Sequence, residues 1–270
     1  MMAAGFVSYR GIVMRASLFW AATLVAAPWL GSATAADKIS PAIAAAVADS
    51  TRPAADTARD AARKPAEMLA LAGLKPGEQV LELLPGGGYY TRVISLTVGP
   101  TGHVYALNPP ARPNPAASAP MMMMMSPVDI LAKDPHYGNI SVLPISAIMS
   151  DPPTTPQVDL VWTSDNYHDL HNQPNADLVA FNKRVFATLK PGGVYIVIDH
   201  AAAAGHGAND TSTLHRIDPE TVKSEVESAG FRLAGSSDAL HLADDTHTIN
   251  VHDPAVRGHT DHFALKFVKP

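Results

Sequence analysis

The chain of 270 residues contains no cysteine. This absence excludes disulfide bonds, catalysis by a thiol, zinc sites built from cysteine and a lipid anchor on cysteine. Basic residues are also few, with 20 Lys and Arg against 25 Asp and Glu. Because nucleic-acid binding needs a positive field, the formal net charge of −5 speaks against a nucleic-acid partner. The composition indicates no oligomeric state.

Long apolar runs are scarce, and the longest lies near the N-terminus. Arg15 precedes the apolar run Ala16–Leu30, and Ala33-Thr34-Ala35 matches a cleavage site. This order predicts a signal peptide over residues 1–35 and a periplasmic or secreted protein. The run is shorter than the roughly 20 residues that a membrane span needs, so we expect no stable span after cleavage. An uncleaved anchor is the alternative.

Residues 36–270 are predicted to form one α/β domain with a helical lead-in at its N-terminus. Apolar strands alternate with helices, and strand–helix–strand units imply parallel strands. The predicted strands are Glu78–Leu84, His103–Leu107, Ile140–Pro144, Val158–Thr163, Val194–Asp199, Phe231–Asp238 and His262–Val268. The predicted helices are Asp56–Gly73, Tyr89–Val98, Ala176–Leu189 and Asp218–Ala229.

One segment does not fit this alternation. Asn108–Pro127 contains six prolines and the run Met121–Met125. Proline interrupts strand pairing and helix interiors, so a loop or a short helix over the sheet edge is expected. The methionines have two interpretations, the lining of an apolar ligand pocket or filling beneath a loop.

A glycine-rich turn follows the first predicted strand. Glu82 is delivered by the strand, and Gly86-Gly87-Gly88 stand immediately before a helix. Glycine has no Cβ, so the backbone can approach a ligand closely, and the helix start offers free N–H groups. A turn of this kind also occurs without a ligand. Its position inside a strand–helix–strand unit favours a binding role.

Three segments in order resemble motifs of class I S-adenosylmethionine-dependent methyltransferases. They are VLELLPGGGYYT, which begins at Val80, VDLVWT at Val158 and LKPGGVY at Leu189. Within that class, RKPAEML, PGGGYYT and the closing RGHTDHFALKFVKP resemble a group of exported predicted methyltransferases. The resemblance covers residues 66–270. It implies a Rossmann-like, seven-stranded, mostly parallel sheet with an antiparallel last strand and helices on both faces.

The resemblance also implies a cofactor, S-adenosylmethionine, and residues that contact it. Carried over position by position, the expected cofactor contacts are Glu82, Leu84, Gly86, Gly87, Gly88, Asn108, Ser164, Asp165 and Asn166. Leu84 stands where the family usually has its first glycine. Asn108 stands where the family has an acid for the ribose hydroxyls, and an amide binds hydroxyls less strongly than a carboxylate does.

The 12 histidines are concentrated in the second half of the chain. His168 and His200 follow successive predicted strands at their carboxyl ends, where open α/β sheets bind ligands. Each is a candidate general base for the methyl acceptor, and each has the alternative of an ordinary loop histidine. A metal site is a further alternative, with the candidate ligands Asp165, His168, Asp169, Asp199 and His200. No strong metal motif is present, so the sequence assigns no metal ligand.

The lead-in carries the charged residues Arg59, Asp60, Arg63 and Lys64, which either cover the cofactor pocket or form a solvated face. Three functions follow from these observations. The leading one is methyl transfer from S-adenosylmethionine to a small-molecule or protein acceptor that the sequence does not name. The second is an exported ligand-binding protein that keeps the fold without catalysis. The third is a metal-assisted hydrolase built on the late histidines.

Overall fold

The computed structural model describes residues 1–2, 39–109, 125–151 and 153–270. Almost all of the predicted signal peptide lies outside these ranges, as does the methionine run from 121 to 124. Among the helices described, none is both long enough and apolar enough to cross a membrane. The predicted loop Asn108–Pro127 is described only at its two ends, and a helix begins at its last residue.

Seven strands of the described chain form one sheet in the order β3-β2-β1-β4-β5-β7-β6. The strands are β1 (Gln79–Leu83), β2 (His103–Asn108), β3 (Ile140–Pro144), β4 (Val158–Ser164), β5 (Leu189–His200), β6 (Arg232–Ser237) and β7 (His262–Val268). From β3 to β5 the neighbours are parallel, and β7 is antiparallel to both β5 and β6. The predicted sheet, including its inserted antiparallel last strand, is confirmed.

Helices cover both faces of the sheet. Those in the described ranges are α1 (Pro41–Val47), α2 (Ala54–Thr57), α3 (Asp60–Arg63), α4 (Pro65–Ala72), α5 (Tyr89–Val98), α6 (Pro127–Leu131), α7 (Ser146–Met149), α8 (Tyr167–His171), α9 (Leu178–Thr188) and α10 (Pro219–Ser228), together with a 3-10 turn at Pro135–Tyr137. Successive strand residues point to opposite faces. Val80 therefore packs with α4 and α5, and Leu81 packs with α9 and α10.

The helical lead-in differs from its prediction. The sequence predicts one helix over Asp56–Gly73, but the structure divides this segment among α2, α3 and α4. The break before α4 lies at Lys64, which has a left-handed φ of 45° and precedes Pro65. Proline has no N–H and disfavours helical backbone in the residue before it. The short α3 is thereby turned away from the axis of α4.

β5 begins before the predicted strand Val194–Asp199, because the segment Lys190–Gly193 belongs to it. Leu189 pairs with Val158, and the pairing resumes at Val194 opposite Leu160, so the register shifts between them. A Cβ on Gly193 would lie 2.8 Å from the carbonyl oxygen of Lys190, which explains why glycine is required there. The glycine-rich segment is therefore an irregularity inside a strand.

Candidate functional site

The carboxyl edge of the parallel strands brings the predicted site residues together. The glycine turn follows β1, Asn108 ends β2, and Ser164 ends β4. His200 ends β5, and the antiparallel β7 begins beside it because His262 pairs with His200. Two regions result, one around the glycine turn and one around the ends of β4, β5 and β7.

The glycine turn leaves room for a ligand. A Cβ on Gly86 or on Gly87 would meet no described atom within 4 Å, whereas one on Gly88 would lie 2.9 Å from Leu131. Gly88 precedes α5, whose N-terminus has no side-chain cap. The first N–H groups of this helix therefore lack a side-chain acceptor, which suits an electron-rich ligand.

Leu84 adopts backbone geometry that normally requires glycine. Its φ is 53°, in the left-handed region. A side chain costs roughly 1–2 kcal/mol in that region. The turn therefore keeps the shape that a glycine would allow, although leucine occupies the position. Asn166, which follows β4, donates a hydrogen bond from Nδ2 to the carbonyl oxygen of Leu84 at 3.1 Å and ties the turn to the end of β4.

Glu82 lies buried beneath this turn. Among the described residues, its Oε2 has no hydrogen-bond partner, and neither has the hydroxyl of Thr91. Burial raises the pKa of Glu82 to about 7, although the positive charge of Arg92 partly opposes the effect. An unpartnered buried carboxylate oxygen is costly unless a proton or a ligand satisfies it.

Asn108 belongs to a short polar chain at the end of β2. Its Nδ2 donates to Ser126 Oγ at 2.7 Å, and Ser126 Oγ donates to Asp129 at 2.6 Å. Ser126 and Asp129 also form a capping box at the start of α6. The resembling family has an acid at the position of Asn108. Here the carboxylate of Asp129 is linked to that position through the Ser126 hydroxyl. The S-x-x-D pattern before α6 is the sequence signal for this arrangement, and we assigned it no role from the sequence alone.

A cavity of about 920 Å³ lies on the other side of the site, at the ends of β4 and β5. Ser164, Asp165, His168 and His200 line it, as do residues of the lead-in, Arg63 among them, and of the segment that precedes β7. The other residues predicted from sequence do not line it, and they are Glu82, Leu84, Gly86, Gly87, Gly88, Asn108 and Asn166.

Arg63 and Asp165 join the lead-in to the end of β4. Arg63 donates to Asp165 Oδ2 at 2.6 Å, and its guanidinium lies 5.1 Å from the ring centroid of Tyr89. Burial alone would raise the pKa of Asp165, but the charges of Arg63, His262 and His200 and the hydrogen bond from Ser164 together outweigh it and lower that pKa below its usual range. Asp165 has a left-handed φ of 59°. Strained backbone of this kind concentrates at functional sites.

The lead-in is not simply a solvated charged face. Asp60 accepts hydrogen bonds from both terminal nitrogens of Arg52 and from the hydroxyl of Tyr89 at 2.7 Å. Arg59 pairs with Asp56 and is the more exposed of these cations. The charged side chains therefore hold α2 and α3 over the start of α5 and one wall of the cavity.

His168 is held by a buried carboxylate. Its Nδ1 and its backbone N–H both lie 2.7 Å from oxygens of Asp199, which is fully buried. Burial would lower the pKa of His168, but the hydrogen bond and negative charge of Asp199 raise it above its ordinary value. Because Nδ1 is committed to Asp199, Nε2 is the nitrogen that remains for proton transfer.

His200 and His262 share one partner residue. Nδ1 of His262 donates to the carbonyl oxygen of Thr260 at 2.8 Å, and Nδ1 of His200 lies 2.9 Å from the Thr260 hydroxyl. The ring centroids of the two histidines are 4.1 Å apart. Burial, together with His262, lowers the pKa of His200 well below its ordinary value. His200 is thus a weaker base than His168.

The segment before β7 is anchored by a buried ion pair. Arg216 donates from both terminal nitrogens to Asp245, at 2.8 and 3.1 Å, and both side chains are almost fully buried. Asp245 in turn accepts the N–H of Asp261 at 2.6 Å. This pairing fixes the wall of the cavity that carries Thr260 and His262. Sequence reasoning gave His262 and Thr260 no role, because only the tertiary structure brings them to the site.

No protein-family model matches the chain, and no curated protein matches it in sequence. Solved structures are nevertheless similar in fold. A SAM dependent methyltransferase from Aquifex aeolicus has a TM-score of 0.54 at 19% identity, with 79% of this chain and 93% of that chain covered. A putative sarcosine dimethylglycine methyltransferase from Galdieria sulphuraria has a TM-score of 0.51 at 16% identity, covering 77% and 84%.

The [4+2]-cyclase SpnF is about as similar, with a TM-score of 0.52 at 16% identity and with 80% of this chain and 81% of that chain covered. One architecture therefore carries different reactions among the structures that resemble this chain, so the reaction has to be argued from the site. At these identities the likeness concerns the fold, and the chain has the Rossmann-like fold of S-adenosylmethionine-dependent methyltransferases.

Proposed function

We propose that the chain binds S-adenosylmethionine at the turn between β1 and α5 and transfers its methyl group to an acceptor in the neighbouring cavity. The observation that carries this proposal is the space at Gly86 and Gly87 that no described atom occupies, together with an uncapped helix start and Oε2 of Glu82, which has no partner among the described residues. These residues fit a ligand that carries both hydrogen-bond donors and acceptors. When bound, the cofactor supplies an electrophilic methyl group on a positively charged sulfur.

The described residues offer contacts for two polar parts of such a ligand. Oε2 of Glu82, which has no partner among them, suits an amino group. Asn108 ends β2 at the place where the resembling family binds ribose hydroxyls. It is hydrogen-bonded through Ser126 to Asp129. Asn166 holds the Leu84 carbonyl and so keeps the turn and the end of β4 at a constant separation.

On the acceptor side, His168 is the candidate base and Asp199 positions it. Nε2 of His168 would accept the proton as the acceptor's O–H or N–H bond breaks, and the freed electron pair would bond to the methyl carbon. The methyl–sulfur bond of the cofactor would break at the same time, and its electron pair would stay on the sulfur as a neutral thioether. Asp199 fixes the ring orientation and stabilises the protonated imidazole through its 2.7 Å contact with Nδ1. Alignment of the acceptor with the methyl group supplies much of the acceleration in reactions of this kind. The acceptor is a small molecule or a protein side chain.

Export is part of the same proposal. The apolar run Ala16–Leu30 and the pattern Ala33-Thr34-Ala35 support removal of residues 1–35 and a periplasmic or secreted location. The narrower resemblance to exported predicted methyltransferases supports it as well. Expression with cell fractionation and N-terminal sequencing tests it. A mature protein that begins at Ala36 is expected, and an intact N-terminus in the cytoplasmic fraction would contradict export.

Binding of the cofactor is tested by isothermal titration of the mature chain with S-adenosylmethionine. The decisive variant is Gly87→Val, because a Cβ at this position meets no described atom within 4 Å, and the added side chain would fill the space where we place the ligand. We expect at least about tenfold weaker binding at an unchanged melting temperature. The matched control is Gly138→Ala, whose Cβ makes ordinary contact and lies outside the site. No heat and no thermal shift with the wild-type chain at millimolar cofactor overturns the proposal.

A second function, an exported ligand-binding protein without catalysis, is favoured by two positions. Leu84 replaces a glycine of the resembling family, and Asn108 replaces its ribose acid. Native mass spectrometry of the purified chain separates the two functions. A tightly held small molecule other than S-adenosylmethionine supports the binding protein, whereas exchange with added S-adenosylmethionine supports the enzyme.

A further inference from the structure

Three potential metal ligands from three neighbouring strands meet at one end of the cavity. Asp165 follows β4, His200 ends β5, and His262 begins β7. One ligand atom from each of these side chains lies within 4.8 Å of the other two. The convergence depends on the antiparallel insertion of β7, which places the first residue of β7 opposite the last residue of β5. We propose that Asp165, His200 and His262 bind one divalent transition-metal ion.

The separations are close to those of a coordinated ion. In a tetrahedral site with metal–ligand distances near 2.1 Å, two ligand atoms lie about 3.4 Å apart. Nε2 of His262 is 3.6 Å from Oδ1 of Asp165. That distance is too long for a hydrogen bond, so this contact is not explained by direct hydrogen bonding between the two groups. Small rotations of the side chains bring the atoms to a shared ion.

The hydrogen bonds behind the ligands are those that metal-binding histidines make. A backbone carbonyl only accepts, so the bond from His262 to the carbonyl oxygen of Thr260 fixes the proton on Nδ1 and leaves the lone pair on Nε2. The Thr260 hydroxyl lies 2.9 Å from Nδ1 of His200, and where it accepts the N–H of that nitrogen the lone pair is left on Nε2. Such outer partners orient ligating imidazoles and set their tautomer. One residue, Thr260, therefore positions both imidazoles.

Asp165 is prepared for the same role. Its Oδ2 is held by Arg63 at 2.6 Å, which orients the carboxylate and leaves Oδ1 toward His262. Its left-handed φ of 59° stores strain at this position. A local strain is retained when the surrounding structure enforces it, most often where a side chain must be aimed at a ligand.

The donor set defines the class of ion. Two imidazole nitrogens and one carboxylate oxygen suit Zn²⁺, Fe²⁺ and related first-row ions rather than Ca²⁺ or Mg²⁺, which prefer oxygen. Three protein ligands leave at least one coordination position for water or an acceptor, and that position opens to the cavity because all three residues line it. This site goes beyond the proposed methyl transfer and does not depend on it.

A second group in the described chain, His168, Asp169 and His215, also brings three ligand atoms together. Asp169 is 46% exposed at its side chain and lies 3.5 Å from each histidine. An exposed carboxylate is held less firmly than Asp165, so we assign the ion to the first group. The second group provides a competing location that the experiment must distinguish.

The test is a titration of the tag-free, chelator-treated chain with Zn²⁺, followed by calorimetry, and with Co²⁺, followed by visible absorption. No S-adenosylmethionine is present, so the outcome is independent of cofactor binding. We expect one ion per chain. Asp165→Asn and His262→Gln should each weaken binding at least about 100-fold, since loss of outer-shell partners alone costs 10–100-fold. Thr260→Val, which removes only the hydroxyl behind His200, should weaken it about tenfold.

Controls separate the site from general histidine binding and from misfolding. His136→Gln removes a histidine that does not line the cavity and should bind like the wild type. Circular dichroism and thermal unfolding without metal verify that each variant folds, and Zn²⁺ should raise the melting temperature of the wild type but not of His262→Gln. Binding of less than a tenth of an equivalent, wild-type affinity in folded His262→Gln, or loss of the ion only in His215→Gln would overturn the proposal.

Discussion

Arg63 and Asp165 form a salt bridge with an N–O distance of 2.6 Å, although 102 positions separate them in the sequence. The contact fastens the N-terminal lead-in to the loop after β4. It orients a carboxylate that lines the cavity, and the guanidinium also lies over the rings of Tyr89 and Tyr90. The lead-in is thus a structural part of the candidate site.

Arg63→Met should destabilise the fold, because it leaves the charge of Asp165 without its partner. We expect a loss of about 2 kcal/mol, below the 3–5 kcal/mol typical of fully buried pairs, since both side chains are partly exposed. Urea unfolding measures it. Arg59→Met is the matched control on the same lead-in. Arg59 is more exposed than Arg63, and Asp56 keeps its pair with Arg92 in the variant, so we expect a change within about 1 kcal/mol. Equal losses in the two variants would contradict this assignment.

The buried Glu82 should make stability depend on pH. Its pKa is raised by burial to about 7 from an ordinary value of 4.5, so the folded chain holds this proton more tightly than the unfolded chain does. The contribution of Glu82 to the free energy of unfolding should therefore fall as pH rises from 4.5 to about 7 and then level off. The total loss is about 3 kcal/mol at 1.36 kcal/mol per pKa unit.

Glu82→Gln should remove this dependence, because glutamine does not titrate. Chemical unfolding of the wild type and of the variant at pH 5 and pH 8 provides the comparison. The variant should gain stability relative to the wild type at pH 8 but not at pH 5. If the difference between the two proteins is the same at both pH values, Glu82 is not the buried titrating group.

Leu84→Gly should be tolerated unusually well. Glycine relieves the left-handed φ of 53°, and this relief of roughly 1–2 kcal/mol offsets the loss of a half-buried side chain. A change within about 1 kcal/mol is expected by thermal unfolding. Leu83→Gly is the control, because Leu83 is only 2% exposed and has no left-handed φ. That substitution should cost about 3 kcal/mol or more.

Asp199→Asn should show that the carboxylate holds His168. Asp199 accepts hydrogen bonds from the backbone N–H groups of His168 and His200 and lies 2.7 Å from Nδ1 of His168. Asparagine has an NH₂ group in place of one carboxylate oxygen, so one of these N–H donors would face another donor instead of an acceptor. We therefore expect the free energy of unfolding to fall by about 2 kcal/mol. Asp169→Asn, at an exposed position beside the same histidine, should change stability by less than about 0.5 kcal/mol.

The prediction of the fold from sequence was close because its signals are local. Six of the seven strands agree with their predicted bounds to within one residue at each end, and β5 begins earlier than predicted because Lys190–Gly193 forms part of it. The predicted helix Asp218–Ala229 is observed as α10, with Asp218 as its cap and Pro219 as its first residue. The prediction of one helix over Asp56–Gly73 is wrong. The helical pattern on both sides of Lys64 favours a continuous helix, but Pro65 breaks it at Lys64.

The sequence by itself determined the alternation of strands and helices, the glycine turn after β1 and the placement of polar residues at strand ends. These features follow from side-chain periodicity and from the backbone freedom of glycine, which act over a few residues. The tertiary structure alone decided which polar residues meet. His262 reaches His200 because β7 inserts antiparallel, and Arg63 reaches Asp165 because the lead-in folds back over the sheet. Strand order and chain reversal arise from the packing of the whole core, which no local pattern encodes.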